Sequence, residues 1–197
     1  MAIKPILFNT EMVRAILDGR KDATRRIVKG FIPDDAVWGY TAFTPKGYIS
    51  CRGTFADGYG GKFFKLPCEP GDILYVRETW KNAPNGYYYY EDWQRNDIAD
   101  VTKWKPSIHM PKEAARIWLK VTDVRVERLQ EITIDGIRNE GLSSMAVHAG
   151  DMEIAMEEWK NLWNSTIKKH DINHYGWDAN PWVWVIEFER CEKPEGM

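Results

Sequence analysis

The chain has 197 residues, of which 44% are hydrophobic and 28% are charged. This length and composition are typical of one globular domain that buries a hydrophobic core of its own. A formal net charge of −2 excludes a uniformly basic nucleic-acid-binding protein but leaves room for a local basic surface.

The cysteine, histidine and hydropathy patterns indicate the cellular compartment and whether a membrane span, a metal or a cofactor is expected. The three cysteines show no Cys-x-x-Cys spacing, and scattered thiols are typical of a reducing cytoplasm. There is no charged leader with an apolar run and no apolar segment of about 18 residues, so we expect neither secretion nor a membrane span. Neither the histidines nor the glycines have the spacing of a metal site or a phosphate-binding loop, so we expect no metal and no cofactor.

The first predicted elements are a strand and a helix. Residues 3–8 form a short apolar run, as in a buried strand. Thr10 is suited to cap the helix that follows, and Gly19 is suited to the position just after its end. The apolar residues of this helix recur at helical spacing: Met12, Val13, Ile16 and Leu17. The basic residues that follow Gly19 therefore lie in the turn that leaves the helix.

The middle of the chain predicts short strands with turns between them. Residues 38–43 and 48–52 are typical of two strands joined by a turn at 44–47. A Pro-Gly-Asp turn precedes an apolar strand that begins at Ile73. Residues 82–111 show no regular period, apart from a run of tyrosines, and indicate a long functional insertion.

The last third predicts two long strands and two helices. Ile117, Leu119 and Val121 share one face of a strand whose later apolar residues fall on the other parity, which predicts a bulge near residues 122–123. Short and long helices are expected over 133–140 and 151–168, the second with an apolar stripe that should pack as core. The closing strand places four apolar residues on one side: Trp182, Trp184, Ile186 and Phe188.

The order of these elements predicts the fold class. Many short strands with Gly/Pro turns and few helices indicate an α+β protein built on a small β-barrel with helical insertions. The strands that begin near Ile117 and Trp182 are both long and apolar, so we expect them to be neighbours in the barrel wall.

The basic segment at residues 19–26 contains the first candidate chemistry. Lys21 and Thr24 are an amine and a hydroxyl three positions apart, and arginines surround them at 20, 25 and 26. An ammonium crowded by other cations loses its proton more easily, which suits Lys21 to act as a general base. The alternative is a solvated basic turn without catalytic function.

Four separated motifs together resemble the ASCH domain. They are Gly19-Arg20-Lys21 with Thr24 and Arg26, Pro70-Gly71-Asp72-Ile73-Leu74, Glu140-Gly141, and Trp184-Val185-Ile186-Glu187-Phe188. Segments 104–131 and 179–182 are more narrowly similar to the larger ASCH proteins of phage and prophage genomes. The resemblance covers nearly the whole chain and implies a small PUA-like mixed β-barrel with flanking helices and a long loop insertion. That superfamily is associated with RNA and nucleotide metabolism.

The resemblance also implies an activity. Some small bacterial ASCH proteins are amidohydrolases that remove the acyl group from N4-acetylcytidine, and their proposed catalytic residues match Lys21, Thr24 and Glu140 here. In that scheme Thr24 is the nucleophile, Lys21 is the base and Glu140 carries the proton to the leaving amine. This chain is longer than those hydrolases, and it has Asp22 where many members have threonine. A carboxylate at this position would hold the lysine charged.

Further residues are candidates for substrate binding. Arg25 and Arg26 belong to the basic segment, and Arg26 is a candidate donor to an oxyanion. Arg77, Glu78 and Trp80 end an apolar strand, where we expect Glu78 to pair with Arg25 or Arg26. Ser107 and His109 lie in a proline-bounded loop and are candidates to contact a base edge or a phosphate. The alternative for His109 is a loop histidine bonded to the backbone.

The leading hypothesis is one domain over residues 1–197, with insertions near 30–68, 82–111 and 143–175. It would hydrolyse an acylated or otherwise modified pyrimidine nucleoside or base without a metal. The alternatives are a non-catalytic RNA or modified-nucleic-acid binding module and a metal-independent ribonuclease. In each case we expect a nucleoside or single-stranded nucleic acid in a basic cleft, and a cytoplasmic monomer or weak dimer.

These hypotheses make a geometric prediction. Lys21, Thr24 and Glu140 should converge in one cleft, together with Arg26 and at least one residue of the 105–111 loop. We also expect Lys21→Ala to remove hydrolysis with little change in melting temperature.

Overall fold

The computed structural model describes residues 1–94, 96 and 102–195. Ten strands are described in this part of the chain: β1 Ile3–Leu7, β2 Ala23–Ile27, β3 Val37–Gly39, β4 Tyr48–Arg52, β5 Gly61–Lys65, β6 Ile73–Arg77, β7 Trp80–Ala83, β8 Gly86–Tyr89, β9 Trp118–Arg128 and β10 Trp182–Cys191. The α-helices described there are α1 Thr10–Leu17, α2 Tyr90–Gln94, α3 Ile134–Asn139, α4 Met145–Ala149, α5 Met152–Thr166 and α6 Ile172–Tyr175. Short 3₁₀ turns occupy Ser107–His109, Lys112–Ala114, Leu129–Glu131, Lys169–Asp171 and Trp177–Ala179.

The main sheet is mixed and has the strand order β1-β6-β9-β10-β2. Strands β1 and β6 are parallel, whereas the other neighbours are antiparallel. The long strands β9 and β10 lie side by side, as predicted from their apolar alternation. The predicted bulge is also present, because Glu187 pairs with Asp123 and Phe188 with Val121, which leaves Thr122 as the extra residue. The α+β class is confirmed.

One apolar core fills the inner side of this sheet. Strands β1, β6, β9 and β10 and helix α1 all contribute to it, and Trp184, Ile186 and Phe188 face it from β10. The strand order ends at β1 and β2, and a side chain connects these two edges, because Arg26 Nη2 donates to the Leu7 carbonyl at 2.8 Å. The ends of the sheet therefore approach each other around the core.

A second apolar cluster covers the outer face of the same strands. Val183 and Val185 alternate with the inward residues of β10 and pack against α3 and α5. Trp159 and Trp163, one turn apart on α5, are both buried in this cluster. The predicted apolar stripe of the long helix is therefore confirmed as core packing, and the Asp151 side chain caps the helix by accepting from the Ile154 N–H.

Two of the three predicted insertions are more regular than the sequence indicated. Segment 30–68 carries a three-stranded antiparallel sheet, β3-β4-β5, of which the third strand was not predicted. Segment 82–111 includes a β7–β8 hairpin and helix α2 rather than only irregular structure, although residues 95 and 97–101 lie outside the described part. Three consecutive tyrosines, of which Tyr87 is exposed and the other two are half-buried, give β8 little alternating pattern to detect.

Neither a membrane span nor a metal cluster is found in the described part of the chain. No helix there combines the length and the apolar character needed to cross a membrane. No group of three or more histidine, cysteine, aspartate or glutamate side chains is placed to hold a metal ion, within the same residues.

Candidate functional site

The turn after α1 and the end of α3 meet and bring two of the candidate residues together. Asn9, rather than the predicted Thr10, caps α1, because its side chain accepts from the Met12 N–H at 2.9 Å. After the helix ends, Lys21 forms an isolated antiparallel bridge with Glu140, the C-cap residue of α3. Residues 21 and 140 are therefore neighbours through their backbones as well as their side chains.

Gly141 is required for this close approach. Its φ of +92° lies in the left-handed region, where L side chains are strained. A Cβ at this position would lie 2.7 Å from the Ala15 Cβ and 3.0 Å from the Lys21 Cβ. The structure thus explains why glycine follows Glu140, since only glycine lets this turn pack against the Cβ atom of Lys21.

The Lys21 ammonium is fully enclosed by acceptors. Its Nζ donates to Glu140 Oε2 at 2.6 Å, to the Glu140 carbonyl at 3.0 Å and to the Ala23 carbonyl at 2.7 Å. These bonds use the three N–H donors of a protonated lysine. Burial nevertheless lowers the pKa of Lys21, the Glu140 carboxylate opposes this, and the Arg26 and Arg25 cations lower the pKa further.

Asp22 does not take the role of partner to this lysine. Asp22 is exposed overall, but partial burial of its carboxylate together with the Glu187 charge raises the Asp22 pKa, and the Lys21 charge only partly opposes this. The carboxylate that contacts Lys21 Nζ belongs to Glu140 instead. The ion pair is buried, because the side chains of Lys21 and Glu140 are 0% and 3% exposed.

Strand β2 brings three consecutive candidate residues to one cavity. Thr24, Arg25 and Arg26 pair with Ile186, Val185 and Trp184 of β10, so their side chains alternate between the two faces of the sheet. Because β2 is the edge strand, all three still reach the space beside the sheet. The acceptors of Lys21 Nζ do not include the Thr24 hydroxyl.

We call this space the β2 cavity. It has a volume of about 550 Å³, within the range of sites for small molecules. Its walls come from α1, β2, the turn after α3, and α5. The lining residues include Thr24, Arg25, Arg26, Glu140, Trp159 and Trp163. Lys21 lies behind this wall and is reached through Glu140.

Four arginines line the β2 cavity, and they differ in their partners. Three of them contact a carboxylate: Arg14 with Glu91, Arg20 with Asp18, and Arg25 with Glu140. Within the described residues, Arg26 has no carboxylate at ion-pair distance, and its guanidinium contacts the Leu7 carbonyl and the Phe8 ring. Burial lowers the pKa of Arg26, and the more distant Glu140 carboxylate opposes this. Arg26 is therefore the cation best placed to meet an anionic group.

The predicted pairing of Glu78 with Arg25 or Arg26 is wrong. Glu78 accepts two hydrogen bonds from Arg116, from Nε at 2.9 Å and from Nη2 at 3.0 Å. Arg116 also contacts Asp92, so the buried carboxylate belongs to a separate network. Burial raises the pKa of Glu78, and the Arg116 hydrogen bond opposes this. Glu78 does not line the β2 cavity.

The 105–111 loop does not share the cleft either, contrary to the prediction. Met110 is fully buried in a third apolar cluster together with Trp80, and its carbonyl accepts from Arg77 Nε at 2.7 Å. This anchoring holds Ser107 and His109 on a 3₁₀ turn away from the β2 cavity, whose lining includes no residue of this loop. Arg77 instead lines a second cavity of about 340 Å³.

The wall formed by α5 was missed as a functional surface. Trp159, Leu162 and Trp163 line the β2 cavity, although the sequence pattern indicated only core packing. A helical stripe of large apolar residues has the same spacing whether it packs in the core or lines a cavity. The two tryptophans are therefore core residues that also form one face of the site.

Comparisons with known proteins add two similar structures. No protein-family model matches the chain, and no curated protein matches it. An ASCH domain from Lactobacillus crispatus is 11% identical, with a TM-score of 0.40 over 96% of this chain and 79% of the other. A hypothetical protein, PH0355, is 15% identical, with a TM-score of 0.40 over 97% of this chain and 100% of the other. Similarity at this level supports no conclusion about function.

Proposed function

We propose that the protein is a metal-independent amidohydrolase of an acylated or otherwise modified pyrimidine nucleoside or base. The observation that carries the proposal is the buried Lys21–Glu140 pair, at 2.6 Å, in which Glu140 lines the same cavity as Thr24. Amide hydrolysis needs a nucleophile, a group that accepts its proton, and donors for the oxyanion. The β2 cavity contains a residue for each role.

The proposed reaction has two stages. The Thr24 oxygen attacks the acyl carbon, the hydroxyl proton passes to the Lys21–Glu140 pair, and a C–O bond forms. The tetrahedral intermediate then breaks its C–N bond while Glu140 returns the proton to the leaving amine. In the second stage, water attacks the acyl-threonine ester, which releases the carboxylic acid and restores the Thr24 hydroxyl.

The walls of the cavity suit a nucleoside. Trp159 and Trp163 offer aromatic surface on α5 against which a base can pack. Arg26 offers a cation without a carboxylate partner in the described part of the chain, on the wall formed by β2. A ligand with an aromatic ring and an electron-rich oxygen would satisfy both walls.

A second candidate function is non-catalytic binding of RNA or modified nucleic acid at the same cavity. It is favoured by the three hydrogen bonds of Lys21 Nζ, which commit the amine to Glu140 and the Ala23 carbonyl. A lysine held in this way needs to lose its proton before it can act as a base. In the binding alternative, Lys21 would only hold the turn after α3 in place.

We propose that the protein acts in the cytoplasm. All three cysteines are free thiols, and Cys51 and Cys68 are buried. Free thiols suit a reducing cytoplasm, where nucleosides and RNA are also found. We further propose a single domain, because β10 contributes alternate residues to both large apolar clusters.

The experiment is a single-turnover assay with protein in excess over a panel of N4-acylated cytidines, their bases and modified oligonucleotides. Mass spectrometry follows loss of the acyl group and, in the same samples, cleavage of the oligonucleotides. Release of cytidine by the parent protein and its absence with Thr24→Val would support the amidohydrolase. Binding without any product would support the non-catalytic reader, and strand cleavage would support the ribonuclease.

A further inference from the structure

The exposed aromatic residues of the protein are concentrated in segment 30–68. Among the described residues, Tyr87 is the one exposed phenylalanine, tyrosine or tryptophan that lies outside this segment. Those within it are Phe31, Tyr40, Phe43, Tyr59 and Phe63. A single exposed apolar residue needs no explanation, but a concentration of large ones marks an interaction site. Phe63 belongs to the β3-β4-β5 sheet, which we call the insertion sheet.

The strand register separates the insertion sheet into two faces. Paired residues of neighbouring strands point to the same face, and successive residues of one strand point to opposite faces. Ile49 pairs with Phe64, and both join the main apolar core together with Trp38. The residues of the other parity form what we call the open face: Val37, Gly39, Tyr48, Ser50, Arg52, Gly61, Phe63 and Lys65.

The open face is exposed to solvent at both of its edges. On β3, Val37 is 55% exposed, and a Cβ atom at Gly39 would meet no other atom within 4 Å. On β5, Phe63 is 47% exposed, and Lys65 is exposed as well. A ligand can therefore reach this face without displacing another part of the described structure at these positions.

The open face carries positive charge only. Arg52 and Lys65 are its charged residues, and neither has a carboxylate at ion-pair distance within the described part of the chain. The acidic residues of segment 30–68 have other partners: Asp34 contacts Arg128, Asp35 accepts from Thr54, and Asp57 contacts Lys62. Two cations on this face are therefore available to an anionic partner.

Aromatic and basic residues of the open face are interleaved. Tyr48 pairs with Lys65, Ser50 pairs with Phe63, and Arg52 begins the next cross-strand row of the same face. The row of Phe63 therefore lies between a row with a lysine and a row with an arginine. Tyr48 and Phe63 are diagonal neighbours, a separation across which aromatic side chains can still act together.

We propose that the open face of the insertion sheet binds a single strand of nucleic acid, at a site separate from the β2 cavity. Aromatic rings stack on bases of any sequence, and cations between them neutralise phosphates of the backbone. A single strand presents base faces and phosphates together, as this face requires. A duplex presents its phosphates but keeps its base faces stacked.

A second copy of the chain fits the open face less well. In a two-fold dimer the same surface meets itself, so Arg52 and Lys65 would face the same positive charges on the other copy. Like charges placed together across an interface oppose association. Charge complementarity therefore favours a polyanion over self-association.

The test is fluorescence anisotropy of the whole chain with labelled oligonucleotides. The single strands are oligouridylate and oligothymidylate of about 10 nucleotides, within the usual site size of small single-strand-binding domains. A DNA hairpin with a closed stem is the duplex probe. Both single strands should bind, because stacking and phosphate contacts are common to RNA and DNA, and the hairpin should bind more weakly than either.

Phe63 tests the stacking contact. Phe63→Ala should weaken both single strands by roughly 5- to 150-fold, as expected for the loss of one stacked base. Phe63→Tyr keeps the ring and should bind like the parent protein. Tyr87→Ala is the matched control, because it removes an exposed ring of β8 outside the open face, and it should leave binding unchanged. Melting temperatures show that each variant is folded.

The two cations test the phosphate contacts. Arg52→Gln and Lys65→Gln should each reduce the slope of log affinity against log salt concentration by about 0.7, the value for one phosphate contact of a single strand. Lys62→Gln is the matched control, since Lys62 precedes Phe63 on β5, points to the other face and already contacts Asp57. It should leave the slope unchanged.

Several results would overturn the inference. They are no binding of either single strand by the parent protein, equal binding by Phe63→Ala and Tyr87→Ala, and a hairpin that binds as tightly as the single strands. A dimer that sedimentation detects and Phe63→Ala dissociates would instead make the open face a contact between copies, and it would also overturn the inference.

This proposal and the proposed function fail separately. Phe63 does not line the β2 cavity, so Phe63→Ala should hydrolyse free N4-acetylcytidine at the parent rate. Strand binding that depends on Phe63, without hydrolysis by the parent protein, would retain the open-face site and reject the amidohydrolase. Hydrolysis without strand binding would retain the amidohydrolase and reject the open-face site.

Discussion

Replacing Lys21 by methionine should destabilise the protein substantially, because the substitution breaks a buried ion pair. The Lys21 and Glu140 side chains are 0% and 3% exposed, and Lys21→Met leaves Glu140 with Arg25 Nη1 at 3.5 Å as its remaining cation. Removing one partner of a buried pair costs about 3–5 kcal/mol, since the other charge stays buried. For a chain of this length, this corresponds to a fall in melting temperature of about 6–20 °C.

The measurement is urea unfolding at neutral pH, with two further variants. Lys120→Met breaks the exposed pair with Glu189, whose side chains are 52% and 59% exposed, and should cost about 0–1 kcal/mol. Adding Glu140→Gln to Lys21→Met removes the stranded carboxylate and should restore part of the stability. The reasoning is refuted if Lys21→Met costs no more than Lys120→Met, or if the double variant is less stable than the single one.

The pKa of Lys21 in the folded protein lies below 10.5, so kcat/KM should rise with pH up to that pKa and level off above it, and a flat rate profile would exclude Lys21 as the base. The free energy of unfolding should rise with pH from that pKa up to 10.5, because the unfolded chain there binds a proton that the folded chain has lost. Burial raises the pKa of Cys51 and of Cys68 to about 11, so iodoacetamide at pH 8 should label neither thiol in the native protein, as peptide mapping would show. Gly141→Ala should destabilise the fold and lower kcat, because the new methyl group meets the Cβ atoms of Ala15 and Lys21; unchanged urea unfolding would contradict this.

The burial of Lys21 also changes an expectation drawn from the sequence. A basic turn after a helix is ordinarily exposed, and its substitution would leave the melting temperature nearly unchanged. Burial here depends on Glu140, which lies more than a hundred residues away and forms an isolated bridge with Lys21. The local spacing of residues does not predict a contact between positions so far apart in the chain. Only the resemblance to a family indicated Glu140 as a partner.

Elements with a strong period were predictable, and partners of charged groups were not. The alternation of β9 and β10 and the phase change at Thr122 gave their pairing and its bulge correctly. The partner of Glu78 was predicted wrongly, because the sequence does not show which arginine of the chain pairs with a buried carboxylate. Which one reaches it depends on how β6 and the segment before β9 pack together.

The sequence did not predict that α5 lines the cavity. Trp159 and Trp163 follow the helical period of a core stripe, and they are core residues in the structure. The cavity beside them exists because β2 is an edge strand, a property of strand order rather than of the helix sequence. That a core residue also lines a cavity can therefore be recognised only once the strand order of the sheet is known.

The most direct test of the central claim is to trap the acyl group on Thr24. Protein in excess is mixed with N4-acetylcytidine, quenched in acid at short times and digested, and the peptide that contains Thr24 is followed by mass spectrometry. We predict transient acetylation of that peptide, in step with release of cytidine, and neither event with Thr24→Val. Release of cytidine at an undiminished rate by folded Thr24→Val, or no release by the parent protein across the whole panel of acylated pyrimidines, would contradict the claim.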